Sequence, residues 1–168
     1  MTRGFTLVEL LVVLFVIGAL ASIGLGSMNA WTGGRKVRAA AEMVRDGLMG
    51  ARAEAIRRNR TVRAYVLGST FATEVPAFAD EAKIALQQTR LQAPVTQGEV
   101  FFSSDGRTSP PGASHSFTAT GQELACKSAG GPLDCFTVQV SSAGSVRLCD
   151  PAVAPLDSSG ARNPRACR

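Results

Sequence analysis

Between Leu7 and Met28 the chain carries a single charged residue, Glu9, and the next charge is Arg35. An uncharged apolar run of this length can cross a bilayer as a helix, which takes roughly 20 apolar residues. No other stretch limits the possible folds so strongly. Glu9 is the anomaly. A carboxylate at a bilayer centre costs about 2.5–3.5 kcal/mol on insertion scales, so Glu9 calls for a function and a partner.

The stretch GFTLVELLVVLFVIGALASIG, from Gly4 onward, resembles the prepilin signature of type IV pilins and type II secretion pseudopilins. The resemblance implies that a membrane peptidase cuts after Gly4 and that the new N-terminus, Phe5, is methylated. It implies that Glu9 guides the subunit into a helical fibre by pairing with the amine of a neighbour. The expected partners are other pilin or pseudopilin subunits, the prepilin peptidase and the inner membrane. No cofactor, no metal, no small-molecule substrate and no enzymatic activity are implied. An ordinary secretory signal peptide would read Arg3 as its n-region and Ala19-Leu20-Ala21 as its cleavage site. Glu9 early in an overlong core fits that poorly. A plain membrane anchor explains the length but neither Gly4-Phe5 nor Glu9.

With 168 residues, and the first helix set aside, one soluble domain of modest core remains. The formal charge of +5 drops by one if Arg3 leaves with the leader, a mild basic excess compatible with a polyanion partner. The four cysteines, Cys126, Cys135, Cys149 and Cys167, read as two disulfides of an exported domain. Sequence alone allows three connectivities; the two local loops, Cys126–Cys135 and Cys149–Cys167, are favoured. The sole histidine, His115, and the lack of a C-x-x-C spacing argue against zinc. Arg35, Lys36 and Arg38 behind the apolar run outweigh Arg3 before it, which would leave the rest of the chain in the cytoplasm. The cysteines and the resemblance point to export.

No proline occurs between Phe5 and Asn59, and one long helix is expected, with bending or local melting near Gly24–Gly34. Beyond Gly34, Val37, Ala41, Val44, Leu48, Ala51 and Ala55 form an apolar stripe. Nine basic residues lie between Arg35 and Arg63; they read as a solvated face or, less simply, as a polyanion-binding ridge. The segment from Ala51 to Val62, with Ala-Arg-Ala-Glu-Ala and Arg58-Asn59, is similar to the end of the first helix in the FimT/GspH group of minor pilins and pseudopilins. Ser104-Asp105-Gly106-Arg107 matches a turn common in that group.

Strands are expected at Thr61–Leu67, Val100–Phe102, Ser116–Ala119, Phe136–Val140 and Ser145–Leu148. Residues 68–82 read as an irregular loop, and 82–92 fits neither period well. The expected fold class is α+β and type IV pilin-like: a long N-terminal helix, membrane-spanning in its first half, packed on a C-terminal antiparallel β-sheet domain. The expected divisions are a leader at 1–4, a membrane and fibre-core half-helix at 5–34, and a periplasmic domain at 35–168. Residues 150–168 form a disulfide-tied basic tail of that domain. Its arginines Arg162, Arg165 and Arg168 follow a loose version of a Gly-Arg-x-Arg motif. FimT-like minor pilins carry that motif, and some are implicated in DNA capture during natural transformation. The resemblance therefore makes DNA a further candidate partner, bound through phosphates; the other reading is a solvated terminus. His115, between Ser114 and Ser116, is the one residue that speaks for an anchored periplasmic enzyme, and it reads better as a loop or strand-edge residue.

Overall fold

The computed structural model describes residues 6–77 and 82–167, with the side chains of residues 21–27 left aside. Gly4, Phe5 and Arg168 therefore lie outside the described residues. A single helix, α1, runs from Leu7 to Arg58. It continues through Gly24, Gly26, Gly33 and Gly34, so the expected local melting does not occur. Glycine weakens a helix by only about 1 kcal/mol, and long helices follow from packing rather than propensity. Asn59 ends α1 in the left-handed region at φ 50° and ψ 40°, its N–H returned to the Ala55 and Ile56 carbonyls. Asparagine tolerates that conformation better than most residues.

Two antiparallel sheets follow. The first comprises β1 (Val62–Leu67), β2 (Thr70–Val75), β3 (Ile84–Arg90), β4 (Gly98–Phe102) and β5 (Thr108–Ser109) in the order β3-β2-β1-β4-β5. The second comprises β6 (His115–Ala119), β7 (Phe136–Val140) and β8 (Val146–Cys149) in chain order. A short 3₁₀ turn occupies Lys127–Ala129.

The apolar stripe of α1 supplies the centre. Val37, Ala41, Val44, Leu48, Ala51 and Ala55 are all buried. They pack with Val62, Ala64, Val66, Val100 and Phe102 of the first sheet and with Phe117, Val138 and Val140 of the second. The alternation of a half-buried sheet is plain in β1, where Val62, Ala64 and Val66 face inward and Arg63 and Tyr65 outward. Outside, Arg63 bonds Glu74 at 3.1 Å and Glu99 at 2.8 Å and lies over the Tyr65 ring. The bond from Arg63 gives the Glu74 side chain, only 7% exposed, a polar partner that offsets the cost of its burial.

The expectation of an irregular loop at 68–82 is corrected. Gly68-Ser69 closes a two-residue hairpin between Leu67 and its partner Thr70, and β2 is buried almost throughout. The Gly-Ser pair is a hairpin signal, but Thr, Ala and Glu dilute the strand pattern of TFATEV. Phe71 of β2 lies directly on Gly47 of α1, where any side chain would overlap the ring. The ambiguous 82–92 stretch holds β3, an exposed edge strand pairing with β2 through a register shift at Thr73/Glu74. A bulge of this kind breaks the regular period.

Candidate functional site

Three features of the chain could serve a function: the start of α1, the basic face of its second half, and the tail. At the start, Thr6 caps α1 in an extended conformation, and its hydroxyl accepts the Glu9 N–H at 3.3 Å. Thr6-Leu7-Val8-Glu9 thus has the spacing of a capping box, a signal that went unread in the sequence. Glu9 lies in the first turn, where the helix dipole favours a negative charge. Around it the apolar side chains point outward in every direction: Leu7 is 79% exposed, Leu11 61% and Phe15 75%, and Leu20 remains exposed. A helix apolar all round is stable only inside lipid or a larger assembly. Among the described residues no helix is long and apolar enough to cross a membrane.

The basic face of the second half is largely occupied. Arg38 bonds Glu42 at 2.8 Å, and Arg57 and Arg58 converge on Glu54. Those two guanidiniums, Arg57 first, hold the Glu54 carboxyl down at about 2. Arg52 Nε donates to the Gly106 carbonyl at 3.0 Å, and Arg35 stacks 4.8 Å over Trp31. Arg38, Arg52, Arg57 and Arg58 of this face are thus engaged within the chain.

The tail is folded. Cys149 pairs with Cys167 and Cys126 with Cys135. The Asp150 N–H donates to the Arg165 carbonyl at 2.8 Å, and Asp150 bridges Ala166 in a parallel pairing that buries both residues. Between them, Leu156 pairs with Arg162 around a turn at Asp157-Ser158-Ser159-Gly160. Asp157 Oδ1 accepts from the Ser159 hydroxyl and from the N–H groups of Ser159 and Ala161. The Ser159 hydroxyl above all, then the two amides, hold the Asp157 carboxyl below its ordinary range. Arg162 and Arg165 are exposed on this loop, and Arg165 approaches Asp150 at 3.9 Å. The structure thus brings Arg162, Arg165 and the Cys149–Cys167 bridge together on one loop and leaves Glu9 at the far end of the chain.

His115 opens the edge strand β6 opposite Val140. Its Nε2 is buried and has no hydrogen-bond partner, so no serine is poised on it. No group of side chains able to hold a metal occurs among the described residues.

A long helix with an apolar sleeve and a single early carboxyl group, its second half clasped by antiparallel sheets, is a type IV pilin-like fold. Residues 1–25 match the family described as the prokaryotic N-terminal methylation motif. Two solved structures share the fold. The Pseudomonas aeruginosa type IV minor pilin FimU aligns at a TM-score of 0.55 and 22% identity, covering 72% of this chain and 93% of its own. EpsH, the minor pseudopilin of the Vibrio cholerae type 2 secretion system, aligns at 0.53 and 17% identity, covering 70% and 99%. The sequence has no significant match among curated proteins.

Proposed function

We propose that the chain is a minor subunit of a type IV pilus-like fibre. The observation that carries this is the sleeve of exposed apolar side chains from Leu7 to Leu20 around one carboxyl group, on a helix whose other half buries its apolar stripe against the sheets. The matched motif supports cleavage after Gly4, methylation of Phe5 and storage in the inner membrane as a single span with the sheet domain in the periplasm. Glu9, held in the first turn by the Thr6 cap, then meets the amine of a neighbouring Phe5. Cellular assembly assays of Glu9→Ala test the proposal. The variant should insert in the membrane and fail to join the fibre; normal incorporation overturns the amine–carboxylate account.

The finer role we assign is DNA capture by the tail. Exposed Arg162 and Arg165 on a loop tied at both ends support it, since arginines held in place contact phosphates without reading sequence. The likeness to EpsH supports a second reading, a pseudopilin of protein secretion. DNA binding across a salt series separates the two: capture requires affinity that falls steeply with salt, and absence of binding at low salt leaves the secretion role first.

A further inference from the structure

We propose that the foot of the sheet domain, Trp31 with Arg35 and Lys36, seats in the phospholipid headgroup layer while the subunit is stored in the membrane. This rests on the reading that the first half of α1 spans the bilayer. Trp31, the only tryptophan of the chain, is 61% exposed. The Arg35 guanidinium lies over its ring. An amphipathic indole beside cations is what a lipid–water boundary selects.

The axial register agrees. Trp31 follows Glu9 by 22 residues of one helix, which is about 33 Å at 1.5 Å per residue, against a hydrocarbon core of about 30 Å. Glu9 and Trp31 therefore mark the two faces of one bilayer. Glu9 then lies at a boundary rather than at the costly centre.

At the same level of α1, on the face turned away from the indole, is a cleft of about 250 Å³. Asn29, Thr32 and Lys36 line it from α1, and Gln92, Gln122 and Glu123 from the loops above. Its single cation and single anion match the phosphate and ammonium of a zwitterionic headgroup, and its amides and hydroxyl can bond the ester oxygens. This also accounts for two of the three basic residues behind the apolar run. Arg35 and Lys36 contact lipid phosphates, whereas Arg38 is held by Glu42.

The test is the fluorescence of Trp31 in the full-length chain reconstituted in vesicles of phosphatidylethanolamine and phosphatidylglycerol. Flotation with the vesicles is measured alongside. Blue-shifted emission is expected, quenched most by lipids brominated near the headgroup and weakly by iodide. Arg35→Glu/Lys36→Glu should move the emission to the red and raise iodide quenching. A chain that does not float overturns both the spanning reading and this inference. A chain that floats with water-like Trp31 emission, with strongest quenching at the bilayer centre, or with no response to the double variant overturns this inference alone. Emission that turns blue only in assembled fibres would assign Trp31 to a subunit contact instead.

Discussion

Arg52 of α1 donates its Nε–H to the carbonyl of Gly106, 54 positions on in the chain, at 3.0 Å. Gly106 turns the first sheet back on itself, and Gly144, at the β7–β8 turn, lies against the same carbonyl. One guanidinium thus joins the helix to the places where both sheets reverse. Thr108 reinforces the junction by donating its hydroxyl to the Ala113 carbonyl and its N–H to the Ser142 carbonyl. Gly144 has φ +76°, and a Cβ there would overlap the Gly106 oxygen. Gly144→Ala should cost about 2–3 kcal/mol from strain and overlap. Arg52→Ala should cost about 1 kcal/mol. Urea unfolding of the sheet domain with its packed half-helix checks the order; Arg52→Ala as the more damaging of the two contradicts it.

Loss of the tail bridge is expected to act locally and globally. Cys149 and Cys167 are 18 residues apart, and a loop of that size contributes about 3 kcal/mol. In Cys167→Ser the Asp150–Ala166 pairing should open, and amides of residues 150–166 should exchange with solvent far faster than those of β7. Unchanged protection would show that the backbone pairing holds the tail without the bridge.

Acid should open the Asp157 turn before the core unfolds. The Asp157 carboxyl is held below its ordinary value. Its contribution is therefore complete above that ordinary value and is lost as pH falls through the lowered one, from about pH 4 downward. Amide chemical shifts of Ser159 and Ala161 followed to low pH report the change. Asp157→Asn should show the open pattern at neutral pH if the charge is what orders the turn.

The sequence was most legible where one physical demand ruled a residue. Val37 to Ala55 had to face a core, so the helical stripe read directly. Phe136 to Val140, with Thr137, Val138 and Val140 β-branched behind an aromatic, read as the strand it is. Phe71 did not, because its partner is Gly47, and a glycine that makes room for a ring looks the same in sequence as one that weakens a helix. Arg52 looked like one of a row of surface cations; only the fold brings Gly106 to it. Thr6 could have been read, since its distance to Glu9 is the spacing of a cap. The arginines of the tail were visible, but the pairing of Asp150 with Ala166 that presents them is a product of tertiary structure.

Replacing Arg162, Arg165 and Arg168 together by alanine should abolish DNA retention without lowering thermal stability, since Arg162 and Arg165 are exposed. Gel retardation at low salt beside a melting curve separates the effects. Equal retention by the variant would move any DNA contact off the tail.

The sleeve from Leu7 to Leu20 has an energetic corollary for how such a subunit changes location. Lipid tails are as apolar as leucine, so moving this helix from bilayer to fibre swaps one oily solvent for another and yields almost no hydrophobic gain. The transfer is close to thermoneutral for the sleeve, whatever its composition. In the fibre proposed above, direction and register would then come from close packing and from the single carboxyl group at Glu9. An all-apolar surface would be free to slide or rotate against its neighbours; one polar group gives it an address.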